Sequence, residues 1–288
     1  MRLLAILLAC FALASCGSGA EEQPGHPALW EVSGRDGAVK GWLFGTVHVL
    51  PSGARWETAR LDRALDRTGV LVVEVANLGD SAAISAIFNK LATDNPGPPL
   101  DQRLDPAQRN RLDALLARDS VDPHRFDGLE TWAAALAIAQ LDETGDAANG
   151  ADRVLLAKFQ GRPIAEVEGA QAQLSIFDRL PPHDQRDLLM GVVSESDAAS
   201  QTQDQLAQAW LDGNTAEIDR LSRTGILSYP DLYRALLSGR NQAWAGKIAA
   251  MLDSGRRPFV AVGAAHMLGP EGLPALLAAR GYTVRRIQ

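Results

Sequence analysis

Strand-like and helix-like patterns are unevenly spread along this chain. Short apolar runs gather towards its two ends, and helical spacing fills most of the middle. Trp42-Leu43-Phe44 and Phe259-Val260-Ala261-Val262 are short, apolar and rich in aromatic or β-branched residues, so each predicts a buried strand. Val70-Leu71-Val72-Val73-Glu74-Val75 is the most continuous run, and near-continuous apolarity predicts a central parallel strand covered on both faces. Leu29 to Val32 and Val39 to Phe44 flank the turn-rich Ser33-Gly34-Arg35-Asp36-Gly37, the pattern of a β-hairpin. Pro163 to Glu168 predicts a further strand, and Tyr282 to Ile287 an edge strand.

Helical spacing runs over Glu57 to Asp66, Pro106 to Ala117 and Thr131 to Leu141, the last so rich in Ala, Leu and Ile that it predicts an interior helix. More helices are expected from Leu174 to Ser254, broken near Pro181-Pro182, Gly213-Asn214 and Tyr229-Pro230. A final helix, Leu273 to Arg280, stops at Gly281. Strands at both ends with helices between predict an α/β fold: a single domain with a central mixed β-sheet and long helical insertions.

Each outer strand leads into a matching turn: Gly45-Thr46-Val47-His48-Val49-Leu50-Pro51 and Gly263-Ala264-Ala265-His266-Met267-Leu268-Gly269-Pro270. Ligands in open α/β sheets bind outside the carboxyl ends of the strands, so the two imidazoles are candidate halves of one site if the two strands are neighbours. Gly45 and Gly263 lack a Cβ and allow both a sharp turn and the close approach of a substrate. His26, His124 and His183 have no such context and read as solvated.

Charge in an apolar setting adds candidates. An ionised Glu74 in a central strand carries a desolvation penalty unless it is paired, hydrogen-bonded or bound to a cation. It is read as a cation ligand or general base, against a buried ion pair with an arginine. Glu166 and Glu168 alternate on one strand face, with Glu168 at the strand end, and Gln173 follows where it could reach the same mouth. Arg240-Asn241 precedes or opens a helix over Gln242 to Leu252. A surface cap accounts for the pair; a guanidinium that fixes a carboxylate or stabilises an oxyanion is the catalytic alternative.

The 288 residues are 46% hydrophobic, enough for one substantial core. A net charge of -7 and the lack of a Lys/Arg stripe interleaved with aromatics argue against nucleic acid as a partner. Met1-Arg2 and the apolar Leu3 to Ala9 read as a secretory signal over residues 1–15. Leu13-Ala14-Ser15-Cys16 resembles the bacterial lipobox, which makes Cys16 the expected lipidation site and membrane anchor. Residues 16–27 then form a tether and 28–288 the folded domain. Gly17 after the cysteine leans towards an outer-membrane position facing the periplasm. Cys10 and Cys16 are the two cysteines of the chain, so the mature domain offers no thiolate for a nucleophile or a zinc site.

Together these segments resemble the TraB/GumN family, whose relatives include the Tiki-type metalloproteases and, more remotely, the erythromycin esterase and ChaN-like proteins. The matching pieces are Leu43 to His48, Val72-Val73-Glu74, Val167-Glu168 with Gln173, Ala209-Trp210-Leu211-Asp212-Gly213, Arg240-Asn241, and Val262 to Gly269. The resemblance implies an erythromycin esterase/ChaN-like α/β fold in which His48, His266 and Glu74 hold a divalent metal of the manganese or cobalt class, with zinc a further option. It also implies hydrolysis, above all of peptides. Where relatives often carry Leu-Glu-Thr, this chain has Val167-Glu168-Gly169. The leading expectation is a metal-dependent hydrolase anchored in the cell envelope and acting on a peptide or other envelope substrate. A metal-free hydrolase, with a histidine base oriented by Glu74 or Glu168, is the second reading; a non-catalytic factor in polysaccharide assembly or export is the third.

Overall fold

The computed structural model describes residues 24–141, 149–196 and 199–288. The expected signal segment, Cys16 and most of the tether therefore lie outside the described residues. The first two apolar runs form a hairpin, β1 (Leu29–Ser33) and β2 (Val39–Thr46), with Leu29 opposite Phe44. Helix α1 (Ala59–Asp66), capped by the Thr58 side chain, leads to β3 (Val70–Val73), whose four residues are all buried. Each such burial contributes roughly 1.5–3 kcal/mol, which is why this run is fixed inside the sheet.

The chain then leaves the sheet for α2 (Ser81–Ala92), α3 (Pro106–Arg118) and α4 (Thr131–Ala139). It returns through α5 (Ala151–Lys158) to the short β4 (Ile164–Glu166). Helices α6 (Ala170–Asp178), α7 (Pro182–Ser196), α8 (Ala199–Leu211) and α9 (Thr215–Ser222) follow. Next come α10 (Pro230–Tyr233) and α11 (Gly239–Asp253), joined by a π-helical turn over Arg234–Ser238. Strand β5 (Pro258–Gly263), α12 (Leu273–Ala279) and β6 (Thr283–Arg286) close the fold.

Among the described residues the sheet has six strands in the order β4-β3-β5-β2-β1-β6. The first four in that order are mutually parallel, and β1 is antiparallel to both of its neighbours. It is the mixed α/β sheet with helical insertions that the sequence predicts, and the run ending at Ile287 does form an edge strand. Trp42, Phe44, Phe259 and Leu252 belong to the core over the sheet. A second core of α2, α3, α4 and α7 gathers around Trp132, which is stacked on Phe177 and met edge-on by Phe88. Five residues of α4 are buried there, as its composition predicts.

Two boundaries differ from the expected ones in ways that matter. β3 ends at Val73 and β4 at Glu166, so Glu74 and Glu168 stand past the strand ends and not within the strands. Helix α11 begins at Gly239 after a π-turn with no cap between, so Arg240 and Asn241 lie inside a continuous helical stretch. Asn241 is buried and Arg240 nearly so; neither is a surface cap.

Candidate functional site

Parallel pairing sets the site. β2 lies beside β5 with Thr46 opposite Gly263, so the two Gly-x-x-His turns leave the same edge of the sheet side by side. β3 borders β5 on its other side, which brings Glu74 to the same mouth, and the turn after β4 adds Glu168. Trp210, from the Ala209-to-Gly213 segment, donates its Nε1–H to the Gly45 carbonyl at 2.7 Å and pins the end of β2. Gly45 itself is buried. A Cβ there would fall 2.8 Å from the Ala264 Cα, so this glycine lets the two turns pack together and presents no open surface.

Arg240 is the hub. Its Nε donates to Glu168 Oε1 at 3.0 Å and its Nη2 to Glu168 Oε2 at 2.9 Å, a side-on bidentate pair. Nη2 also donates to Glu74 Oε2 at 2.7 Å, and Nη1 reaches the Leu236 carbonyl at 3.1 Å, within the π-turn, and His266 Nε2 at 3.3 Å. Every guanidinium N–H is thereby engaged. Trp244, one turn along α11, stacks under the guanidinium at 4.5 Å and donates to Glu168 Oε1 at 3.0 Å. Burial works against the Arg240 charge, but the two carboxylates outweigh it and raise its pKa.

Glu74 is held from three sides. The Gly263 backbone N–H donates to Oε1 at 2.8 Å, and Gln173 Nε2 joins Arg240 on Oε2 at 3.2 Å. Burial alone would push this carboxyl up. The charges of His266 and Arg240 and the hydrogen bonds from Gly263 and Arg240 outweigh it and hold the carboxyl below its ordinary range. Gly263 thus serves Glu74, and Gln173 serves it too.

His266 is 5% exposed. Its Nδ1 lies 2.6 Å from Asn241 Oδ1, and Asn241 Nδ2 donates in turn to the Glu271 carbonyl, which fixes the amide so that Oδ1 accepts and Nδ1 carries the proton. Burial, aided by the charges of Arg240 and His48 and opposed by Glu74, brings the imidazole pKa down to about 4. At neutral pH the ring is uncharged with its Nε2 lone pair towards Arg240. The cluster of Glu74, Glu168, Arg240 and His266 therefore carries one net negative charge.

His48 has the opposite setting: its side chain is 73% exposed, and Nδ1 lies 3.0 Å from Oδ2 of Asp152, a buried residue of the first turn of α5. Asp152 and Trp244 are site residues that the sequence reading does not single out. Trp244 sits at helical spacing from Arg240, a signal that could have found it; Asp152 has no local signal.

The donors match a divalent ion in chemistry, since a neutral imidazole and an ionised carboxylate are what such ions take. Their placement does not match. The Arg240 guanidinium already bonds both Glu74 and His266, and the ligand atoms of His48, Glu74 and His266 do not all come within 4.8 Å of one another. Among the described residues, the trio that meets that distance is His183, Asp184 and Asp231, two of them exposed, at the starts of α7 and α10. There His183 pairs with Asp184 at 2.8 Å and Asp231 with Arg234 at 2.8 Å.

A mixed sheet that gathers two Gly-x-x-His turns, two carboxylates and a part-buried arginine at its strand ends defines an α/β protein with a built polar site. The chain belongs to the TraB/PrgY/gumN family, whose profile it matches over residues 28–286. It is 28% identical over 241 residues to the protein described as "Uncharacterized protein YbaP" of Escherichia coli (strain K12), covering 82% of this chain and 86% of that one. The protein of the same description from Shigella flexneri matches to the same extent. No solved structure matches the chain.

Proposed function

We propose that this chain is a cell-envelope hydrolase in which His48 is the general base and the Glu74–Arg240–Glu168 cluster with His266 is a fixed electrostatic platform. The carrying observation is the net negative charge of that part-buried cluster beside an exposed imidazole on the adjoining strand end. A water proton taken by His48 Nε2 turns the ring into an imidazolium, and a neighbouring negative charge stabilises the cation as it forms. For a peptide bond, the activated water forms the new C–O bond, the C–N bond breaks, and Nε2 returns the proton to the leaving nitrogen. Arg240, with its donors filled, holds the carboxylates in place. Substrate is a peptide or another acyl compound of the envelope, a placement supported by the lipobox-like Leu13 to Cys16.

A second reading has a specific observation in its favour. The excess negative charge and the neutral His266 suit a divalent ion of the manganese, cobalt or zinc kind, provided Arg240 withdraws from Glu74. Fluorescein-labelled casein, offered to the full chain with and without chelator, separates the two. Hydrolysis that survives chelation and disappears in His48→Ala supports the histidine-base reading. Hydrolysis lost on chelation and restored by manganese overturns it in favour of the metal, and no hydrolysis under either condition points to a non-catalytic envelope factor.

A further inference from the structure

The first turn of α5 is built as a clamp on His48, and we infer that Asp152 is a positioning residue that fixes the tautomer and aim of that imidazole. Catalytic meaning for this clamp rests on the hydrolase reading above; its geometry does not. Three consecutive residues make the clamp. The Ala151 N–H donates to the Val47 carbonyl at 2.9 Å, tying the helix start to the His48 turn. Gly150 packs its Cα against the His48 carbonyl, where any Cβ would collide, so only glycine permits the approach. Asp152 Oδ2 then meets His48 Nδ1 at 3.0 Å. Arg153, the next residue, donates Nη1 to the Leu78 carbonyl at 3.2 Å and anchors the same turn to the segment after β3.

The state of the carboxylate gives the contact its direction. Asp152 is 8% exposed, and its other oxygen, Oδ1, is buried with no hydrogen-bond partner among the described residues. A carboxylate so placed accepts only, so Nδ1 carries the proton and Nε2 is the basic nitrogen of the neutral ring. Asp152 thus orients His48, with Nδ1 turned to the carboxylate and Nε2 left as the basic nitrogen. The orienting carboxylate comes from α5 and not from Glu74 or Glu168, both of which Arg240 holds.

The full chain, 15N-labelled at histidine, is read by two-bond nitrogen–proton correlation, with His48→Gln identifying the His48 signals. Wild type is expected to show the Nδ1–H tautomer at His48, and Asp152→Ala and Asp152→Asn to lose it. Casein hydrolysis in both variants is expected to drop in kcat by about 100-fold, the lower end for general acid–base catalysis, with KM within about twofold. An Nε2–H tautomer in wild type overturns the assignment, as does an Nδ1–H tautomer that survives Asp152→Ala. Should wild type hydrolyse nothing, the hydrolase reading fails while the tautomer still decides the clamp.

Discussion

The two Gly-x-x-His turns share a sequence pattern, a strand before them and an edge of the sheet, yet they place their imidazoles in opposite surroundings. His266 is 5% exposed, hydrogen-bonded by an amide and uncharged; His48 is 73% exposed and faces a carboxylate. One motif therefore serves two purposes. The buried ring completes a platform in which every Arg240 donor has an acceptor, and the exposed ring meets solvent. What separates them is the element packed over each turn: α11 brings Arg240, Asn241 and Trp244 to His266, whereas α5 brings Asp152 to a His48 side chain that stays 73% exposed.

The largest effect on this contrast comes from removing its hub. Arg240→Met strands two part-buried carboxylates and is expected to destabilise the fold by about 3 kcal/mol, the lower end of the range for breaking a buried ion pair from one side. Urea unfolding measures it, and Arg240→Met combined with Glu74→Gln and Glu168→Gln should recover much of the loss. An Arg240→Met protein as stable as wild type would mean that the cluster is solvated.

Acid provides the next test. The folded His266 titrates at about 4 against an ordinary value of 6.5, so between those values the unfolded chain binds the proton that the folded one refuses. Stability from this group is complete above pH 6.5 and declines as pH falls towards 4, by about 3 kcal/mol at 1.36 kcal/mol per unit. Glu74, with its lowered pKa, adds a loss of the same sign at more acid pH. His266→Gln should flatten the decline of Tm between pH 6.5 and 4, and His48→Gln should leave it in place; equal slopes in all three proteins would contradict the assignment.

Asn241→Leu leaves the buried Nδ1–H of His266 without its acceptor and the Glu271 carbonyl without its donor. About 1–3 kcal/mol is expected, with the Nδ1–H tautomer of His266 lost in the nitrogen spectrum. His48→Ala marks the smallest stability change and the sharpest contrast: within about 0.5 kcal/mol of wild type, as at other exposed positions, with casein hydrolysis abolished. A destabilisation of several kcal/mol in His48→Ala would show that the two turns do the same structural work.

Local pattern carries much of this. The hairpin, β3, β5, the interior helix α4 and the Gly281 stop follow from apolar periodicity and turn chemistry, and Gly-x-x-His after an apolar run marks both turns. Glu74 stands out because charge beside a buried strand needs a partner, and that partner is Arg240, the arginine pair weighed against a cation in the sequence. The Arg240-Asn241 pair reads as a possible helix cap because caps and buried polar pairs use the same residue types. Only the π-turn and the packing of α11 over β5 turn both side chains inward.

The sequence by itself determines the class of fold, the two histidine turns and the acidic residues at the strand ends, since each is written in neighbours a few positions apart. Tertiary structure alone decides which histidine is buried and what holds each one. Asp152 meets His48 across 104 positions and Arg240 meets Glu74 across 166, and no local period records contacts made between helices and strands that far apart. The strand order that seats β5 between β3 and β2 is what brings those distant groups to one mouth, and burial there sets their charges.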